Sequence, residues 1–351
     1  MRILLLKTWI TNIGNGFIDK GARALIQSTL PDSEVIEISA YGNFAADEKA
    51  TGTVSNIARE VLDIDCREKD YQEQNKALNL SELFKADLAI LPGCVLTSHA
   101  LRKYDKVLQS LTNRDIPIII VGGGGGIYTK EMQEFVRKRF KRFKITALLT
   151  RDKKAYECYN DDVIYAYDGI DCAFYIDEWY QPPNIEKTFM ASTFDKVEEP
   201  PIEYNGLIVR PHHAPFGTPF QGFAKRIIRP DDRPIDLSSD IRHSIKSVAK
   251  SWLSEGYFED ENLFISDSIK DYLTIYSNAE KTVSDRVHAC VPSLVYGNCA
   301  YFSYETPRAG LFDKVLGENI SSGYNEIDQE KLRVEKRAQS EALKEAVEVS
   351  K

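Results

Sequence analysis

In the stretch VSDRVHA (283–289), Arg286 stands two residues before His288, where an apolar run gives way to a helical pattern. An arginine offers a planar, permanently charged fork to a carboxylate or phosphate, and a histidine can exchange a proton near neutral pH. Ser284 or Asp285 is expected to cap the helix, with Arg286 and His288 in its first turn. Two cationic groups there oppose the helix dipole, so the arrangement is unfavourable unless an anion compensates it. The chemistry on offer is anion binding joined to proton transfer.

Other residues make related offers. In TNIGNGFIDKGA (11–22), Asn12, Gly14 and Asn15 form an Asn/Gly-rich turn opening a helix, whose free N–H groups can receive an anion. Gly14, Gly16 and Gly21 do not give the GxGxxG spacing of a dinucleotide site. VGGGGGIYTK (121–130) lacks the Gly-Lys-Ser/Thr of a P-loop. Its glycines say only that the backbone passes close to something, a ligand or a neighbouring element. Arg151 in LLTRDKKAYECY (148–159) and Arg210 in GLIVRPHH (206–213) each end an expected strand and should point into a cleft. Asp152 reads as the cap of the next helix. The adjacent His212 and His213 lack a carboxylate at ligand spacing, and the 6 cysteines contain no CxxC pair, so no metal site is expected. The cysteines read as reduced structural thiols.

The elements that must position these residues are legible as alternation. RILLLKT (2–8), SEVIEIS (33–39), ADLAILPG (86–93), IPIIIVGG (116–123), ITALLT (145–150) and DVIYAY (162–167) read as strands, mostly buried on both faces as in a parallel sheet. Helical spacing fills 17–30, 98–113 and 129–143 between them, while 42–80 is polar and reads as loops and a helix. Two Pro-Pro pairs and several acids make 180–206 an exposed connection. A second strand-helix series follows, with strands at 206–211, 262–266, 280–284 and 299–304 and helices near 238–255 and at 267–278. The expected fold class is α/β, with two Rossmann-like units facing a cleft. The expected bounds are 1–178, 206–327, and a charged C-terminal helix, 328–351, packed on the body across the pair.

A chain of 351 residues favours two domains, and a net charge of −8 advertises no basic surface for nucleic acid. The opening MRILLLKTWITNIGNG is too short in apolar residues for a signal segment, and no run is long enough to span a bilayer, so a cytoplasmic protein is expected.

With these motifs together, the chain resembles the polysaccharide pyruvyl transferase family. The resemblance rests on NIGNGFI, ADLAILPG, TRDKKAYE, GIDCAFYI (169–176) and above all VSDRVHACVPSLVYGNCAYFSYETPRAGL, and it runs from Lys7 to Leu316. Asn15 stands where the family has aspartate, GCV (93–95) where it has three glycines, and Arg308 where a lysine commonly follows. The resemblance implies a GT-B-like fold and transfer of the pyruvyl group of phosphoenolpyruvate to a sugar or glycan as a cyclic ketal. Arg286 and His288 match the family's Arg-x-His, associated with phosphoenolpyruvate binding. Such a reaction needs cations for the donor's two anionic groups, a proton donor and a base. Arg286 would clamp one group, with Arg151 or Arg210 on the other, and Asn12, Gly14, Asn15 and Arg308 lining the substrates. His288 would give the proton or help the phosphate leave, Asp19 is a candidate base, and neither a metal nor a cofactor is called for. Expected partners are phosphoenolpyruvate and a glycan acceptor, lipid-linked ones being reached by peripheral contact; the oligomeric state is left open. A nucleotide-sugar glycosyltransferase and a non-catalytic glycan-pathway binding protein are the rival readings.

Overall fold

The computed structural model describes residues 1–8, 12–40, 78–194, 197–213, 261–317 and 320–351. Uninterrupted apolar runs become strands with no polar face to expose: β1 (Arg2–Lys7), β3 (Leu88–Pro92), β4 (Ile118–Gly123) and β5 (Ile145–Thr150). With β2 (Glu34–Ser39) and β6 (Tyr165–Asp168) they form a parallel sheet in the order β2-β1-β3-β4-β5-β6. The second sheet contains β7 (Phe189–Thr193), β8 (Leu207–Pro211), β9 (Leu263–Phe264), β10 (Lys281–Ser284) and β11 (Cys299–Phe302). It is also parallel, in the order β11-β10-β7-β8-β9. Two parallel-sheet α/β units thus stand in tandem, the GT-B-like class expected.

The reading of 180–206 as a bare connection is corrected by β7. This strand lies in the middle of the second sheet and is buried at every position. Pro182, Pro183, Pro200 and Pro201 bracket it without entering it, so their turn signal masked a five-residue strand, FMAST. The second sheet therefore begins before residue 206. The strand read at 262–266 shortens to the two residues of β9. The helix read near 238–255, and nearly all of 42–80, lie outside the described residues.

The helices fill the crossovers. α1 (Ile13–Thr29), α2 (Ser98–Asn113), α3 (Lys130–Arg142) and α4 (Lys153–Tyr159) follow β1, β3, β4 and β5. A short α5 (Ile176–Trp179) precedes β7; α6 (Ile269–Asn278), α7 (Val287–Val295) and α8 (Asp313–Leu316) belong to the second series. One face of the first sheet packs under α2, α3 and α4. The other face joins α1, α6 and α7 in a core that runs through both units. The C-terminal α9 (Gln329–Val349) starts against the second unit, where Gln329 donates to the Leu294 carbonyl at 3.0 Å. It then runs over the first: Gln339 accepts from the Ile170 N–H at 2.6 Å, and the Lys336 carbonyl accepts from the Tyr175 hydroxyl at 2.7 Å. None of the described helices is long and apolar enough to cross a membrane.

Candidate functional site

In each sheet the chain direction of the crossovers reverses at one place, between β1 and β3 in the first and between β7 and β10 in the second. Helices diverge there and leave a crevice at the carboxyl ends of the strands, where α/β proteins bind ligands. α1 leaves the first of these points and α7 the second, and their N-terminal ends meet. A Cβ on Gly14 would lie 2.7 Å from Cβ of His288, closer than real contacts allow. Glycine at 14 is what lets a histidine of one unit lie on a helix of the other.

The start of α7 differs from expectation in one detail. Arg286 is the N-cap residue rather than a first-turn residue, and among the described residues no side chain caps the helix. Ser284 Oγ accepts from the Arg286 N–H at 2.8 Å, which orders the turn but leaves the helix end open. The N–H groups of Val287 and His288 find no acceptor among the described residues. The buried Asp285 carboxylate accepts from the Val197 N–H at 2.9 Å and lies 4.0 Å from Nε of Arg286. An open helix start with a guanidinium at its rim is suited to an anion.

His288 Nε2 lies 3.6 Å from Oδ2 of Asp171, ion-pair range but too long for a hydrogen bond. The same Asp171 oxygen accepts from Nη1 of Arg151 at 2.8 Å, with both side chains essentially sealed from solvent. Oδ1 of Asp171 accepts from the Ala173 N–H at 2.8 Å. Burial works to raise the Asp171 pKa, but His288, Arg151 and that N–H outweigh it and hold the carboxyl well below the usual range. Asp171 is thus an ionised carboxylate of the first unit facing a histidine of the second. The sequence reading missed it, although it lies in GIDCAFYI. The available signal was an acid directly after Gly-Ile at the exit of an expected strand.

Arg151 also explains the glycine run. A Cβ on Gly124 would lie 2.4 Å from Nε of Arg151, and one on Gly122 (φ +61°) 2.9 Å from Sγ of Cys172. The Gly125 N–H donates to the Tyr128 hydroxyl at 2.9 Å, and the Gly124 carbonyl accepts from the Leu96 N–H at 3.0 Å. What the backbone passes close to is the arginine and its neighbours.

Of the two arginines that end strands, Arg151 is brought to His288 through Asp171. Arg210 is engaged elsewhere: its Nε donates to Glu199 at 3.0 Å and its Nη1 to the Glu261 carbonyl at 2.9 Å. Its partners are Glu199 and Glu261 rather than Asp171 or His288. Arg308 lies in the 3-10 turn Pro307–Phe312, and its buried Nε has no hydrogen-bond partner among the described residues. The turn reaches the first unit, since a Cβ on Gly310 would lie 3.8 Å from Cβ of Asp152. Asp152 caps α4 through the Ala155 N–H at 2.8 Å, as read from sequence.

The start of α1 is closed. Asn12 Oδ1 accepts from the Gly14 N–H at 3.0 Å, the Asn12 carbonyl from Asn15 at 2.9 Å, and the His213 carbonyl from Ile13 at 2.9 Å. Asp19, one turn on, is buried with Oδ1 held by the Thr8 N–H and hydroxyl, both at 2.9 Å, and Oδ2 without a hydrogen-bond partner. Burial, only partly offset by Thr8 and Lys7, raises its pKa to about 7.

The model of the polysaccharide pyruvyl transferase family matches residues 12–300, a span containing Asn12, Arg151, Asp171, Arg286 and His288. No curated protein matches the chain in sequence. Solved structures similar to it include the S. aureus MnaA–UDP co-structure, at 12% identity and a TM-score of 0.42, covering 97% of this chain and 90% of that one. A UDP-N-acetylglucosamine 2-epimerase from Rickettsia bellii is similar at 11% identity and a TM-score of 0.49, over 99% and 96%.

Proposed function

Since the chain belongs to the polysaccharide pyruvyl transferase family, we propose that it transfers the pyruvyl group of phosphoenolpyruvate to a sugar or glycan as a cyclic ketal. The observation that carries this reading is His288 at the open start of α7, with the ionised Asp171 at 3.6 Å. Arg286 and the N–H groups of Val287 and His288 would hold one anionic group of the donor. Arg308, whose Nε has no hydrogen-bond partner among the described residues, would hold the other, the place offered from sequence to Arg151 or Arg210. Arg151 acts through Asp171 rather than on the donor, since its Nη1 already serves that carboxylate.

In the reaction, protonated His288 gives its proton to the donor's methylene carbon, and C2 becomes an oxocarbenium-like centre. An acceptor hydroxyl oxygen bonds to C2 and releases its proton to a base. The C2–O bond to phosphate then breaks, phosphate leaves, and a second hydroxyl closes the ketal with loss of its own proton. Asp171 supplies compensating negative charge to the charged imidazole, and Arg286 to Arg308 span the departing phosphate and the carboxylate. No cofactor or metal enters the scheme; the acceptor is a glycan or sugar reached from the cytoplasm, lipid-linked acceptors by peripheral contact.

The test is a comparison of phosphoenolpyruvate with a UDP-sugar as stabilising ligands, followed by phosphate release in the presence of candidate glycan acceptors. Stabilisation by phosphoenolpyruvate that rises with concentration, and is lost in Arg286→Ala, is the expected result. Stabilisation by the UDP-sugar alone would replace this reading with a nucleotide-sugar transferase.

A further inference from the structure

Five buried groups of the second unit lie end to end between the start of α1 and the residue that rims the open helix end. The His213 carbonyl accepts from the Ile13 N–H at 2.9 Å, so the second unit supplies part of the cap of the first unit's helix. The His213 ring, fully buried, has Nε2 2.6 Å from the Tyr276 hydroxyl. That hydroxyl is also 3.0 Å from Oγ1 of Thr193. The Thr193 carbonyl accepts from the Ser284 hydroxyl at 2.8 Å and from the Asp285 N–H at 3.1 Å. Ser284 Oγ in turn accepts from the Arg286 N–H at 2.8 Å. Phe17 of α1 packs edge-on against both rings, 6.0 Å from His213 and 6.3 Å from Tyr276.

We propose that Tyr276, with His213 and Thr193, is a positioning element that fixes the Ser284–Arg286 turn only while α1 of the first unit is docked. The inference rests on the donor reading above in one respect: Arg286 is taken to touch the donor. A phenol hydroxyl has one proton and can also accept, so it donates to one of its two neighbours and accepts from the other. Both partners are buried, so neither can turn to bulk water for a replacement, and a buried chain of this kind holds its members in one arrangement. The first unit thereby contributes to the donor site twice, through Asp171 at His288 and through Ile13 at the far end of this chain. The device explains why a histidine and a tyrosine are buried against Phe17 of α1. It also explains why the carbonyl of His213, and not an external anion, occupies the start of α1.

The experiment uses the full chain and the variants Tyr276→Phe, Thr193→Val and Thr193→Ser. Tyr276→Phe keeps the ring contacts and removes the hydroxyl; Thr193→Ser keeps the hydroxyl that Thr193→Val removes. Hydrogen exchange, read without donor, should rise in Tyr276→Phe and Thr193→Val both at 284–288 and at 13–17, and stay unchanged at β3 and β4. Phosphoenolpyruvate affinity should fall about three- to tenfold in the same two variants and be restored in Thr193→Ser, with the rate at saturating donor nearly kept. Faster exchange confined to the substituted residue's own element would overturn the proposal. So would wild-type donor affinity in both variants while Arg286→Ala loses it. If Arg286→Ala itself binds the donor normally, the donor reading fails, and the exchange result alone decides the positioning element.

Discussion

The starts of α1 and α7 invite one reading from sequence and receive two from structure. Both follow parallel strands at switch points, both carry small or polar residues at the turn, and they face each other. At α1, Asn12 and the His213 carbonyl take the N–H groups, so the helix end is a docking surface for the other unit. At α7 no side chain among the described residues caps, Arg286 stands at the rim, and His288 projects beside an ionised Asp171. The lesson is that a helix start is left open to an anion by what is withheld from it. An asparagine at the N-cap closes one end, and an arginine, which has nothing to accept with, leaves the other open.

The comparison breaks most severely if His288 is dispensable. His288→Ala should lower single-turnover transfer by about 10²–10⁴-fold, the usual worth of a positioned general acid, with donor affinity changed far less. A loss of affinity equal to the loss of rate would move His288 from proton donor to anchor.

Next in size is the contact between the two ends. Gly14→Ala places a Cβ 2.7 Å from Cβ of His288. Alanine favours a helix by about 0.5–1 kcal/mol over glycine, but overpacking here should cost about 1–3 kcal/mol and shift the histidine. The expected outcome is turnover reduced by about 10- to 100-fold, checked by single-turnover rates beside melting temperatures. A variant with wild-type rate would show that His288 does not need its seat on α1.

Asp19 sharpens the account of the closed end. Its folded pKa, about 7, lies above the ordinary value of 3.8, so the folded protein binds the extra proton between these values. Stability from this group is full below about pH 4 and is lost as pH rises through about 7. Asp19→Asn, which mimics the protonated form, should remove that slope and raise stability at pH 8 by up to about 4 kcal/mol. Urea unfolding at pH 5 and pH 8 gives the result, and an unchanged pH slope in the variant would show that Asp19 is ionised throughout.

Much of this was open to reading before the structure. β1, β3, β4 and β5 announce themselves because strands buried on both faces are nearly all apolar, and Arg286 and His288 declare chemistry by type and spacing. β7 was hidden because five residues are too few for a period to outweigh flanking prolines. Arg151 and Arg210 looked equivalent because both end strands; only tertiary neighbours, Asp171 for one and Glu199 for the other, separate them. Asp171 escaped for the same reason, its meaning lying in residues far away in the chain. The glycine run told the truth about close approach and nothing about what approaches, which is the side chain of Arg151.

The most direct test sets the two helix starts against each other with one substitution in each, Arg286→Ala and Asn12→Ala, and measures phosphoenolpyruvate affinity by calorimetry alongside unfolding by urea. Loss of the Asn12 cap should cost about 1 kcal/mol of stability and leave donor affinity within about twofold. Loss of Arg286 should weaken the donor by at least about tenfold, the worth of a charge-assisted contact. If Asn12→Ala weakens the donor as much as Arg286→Ala does, or if Arg286→Ala does not weaken it, the division into a closed and an open helix end is contradicted.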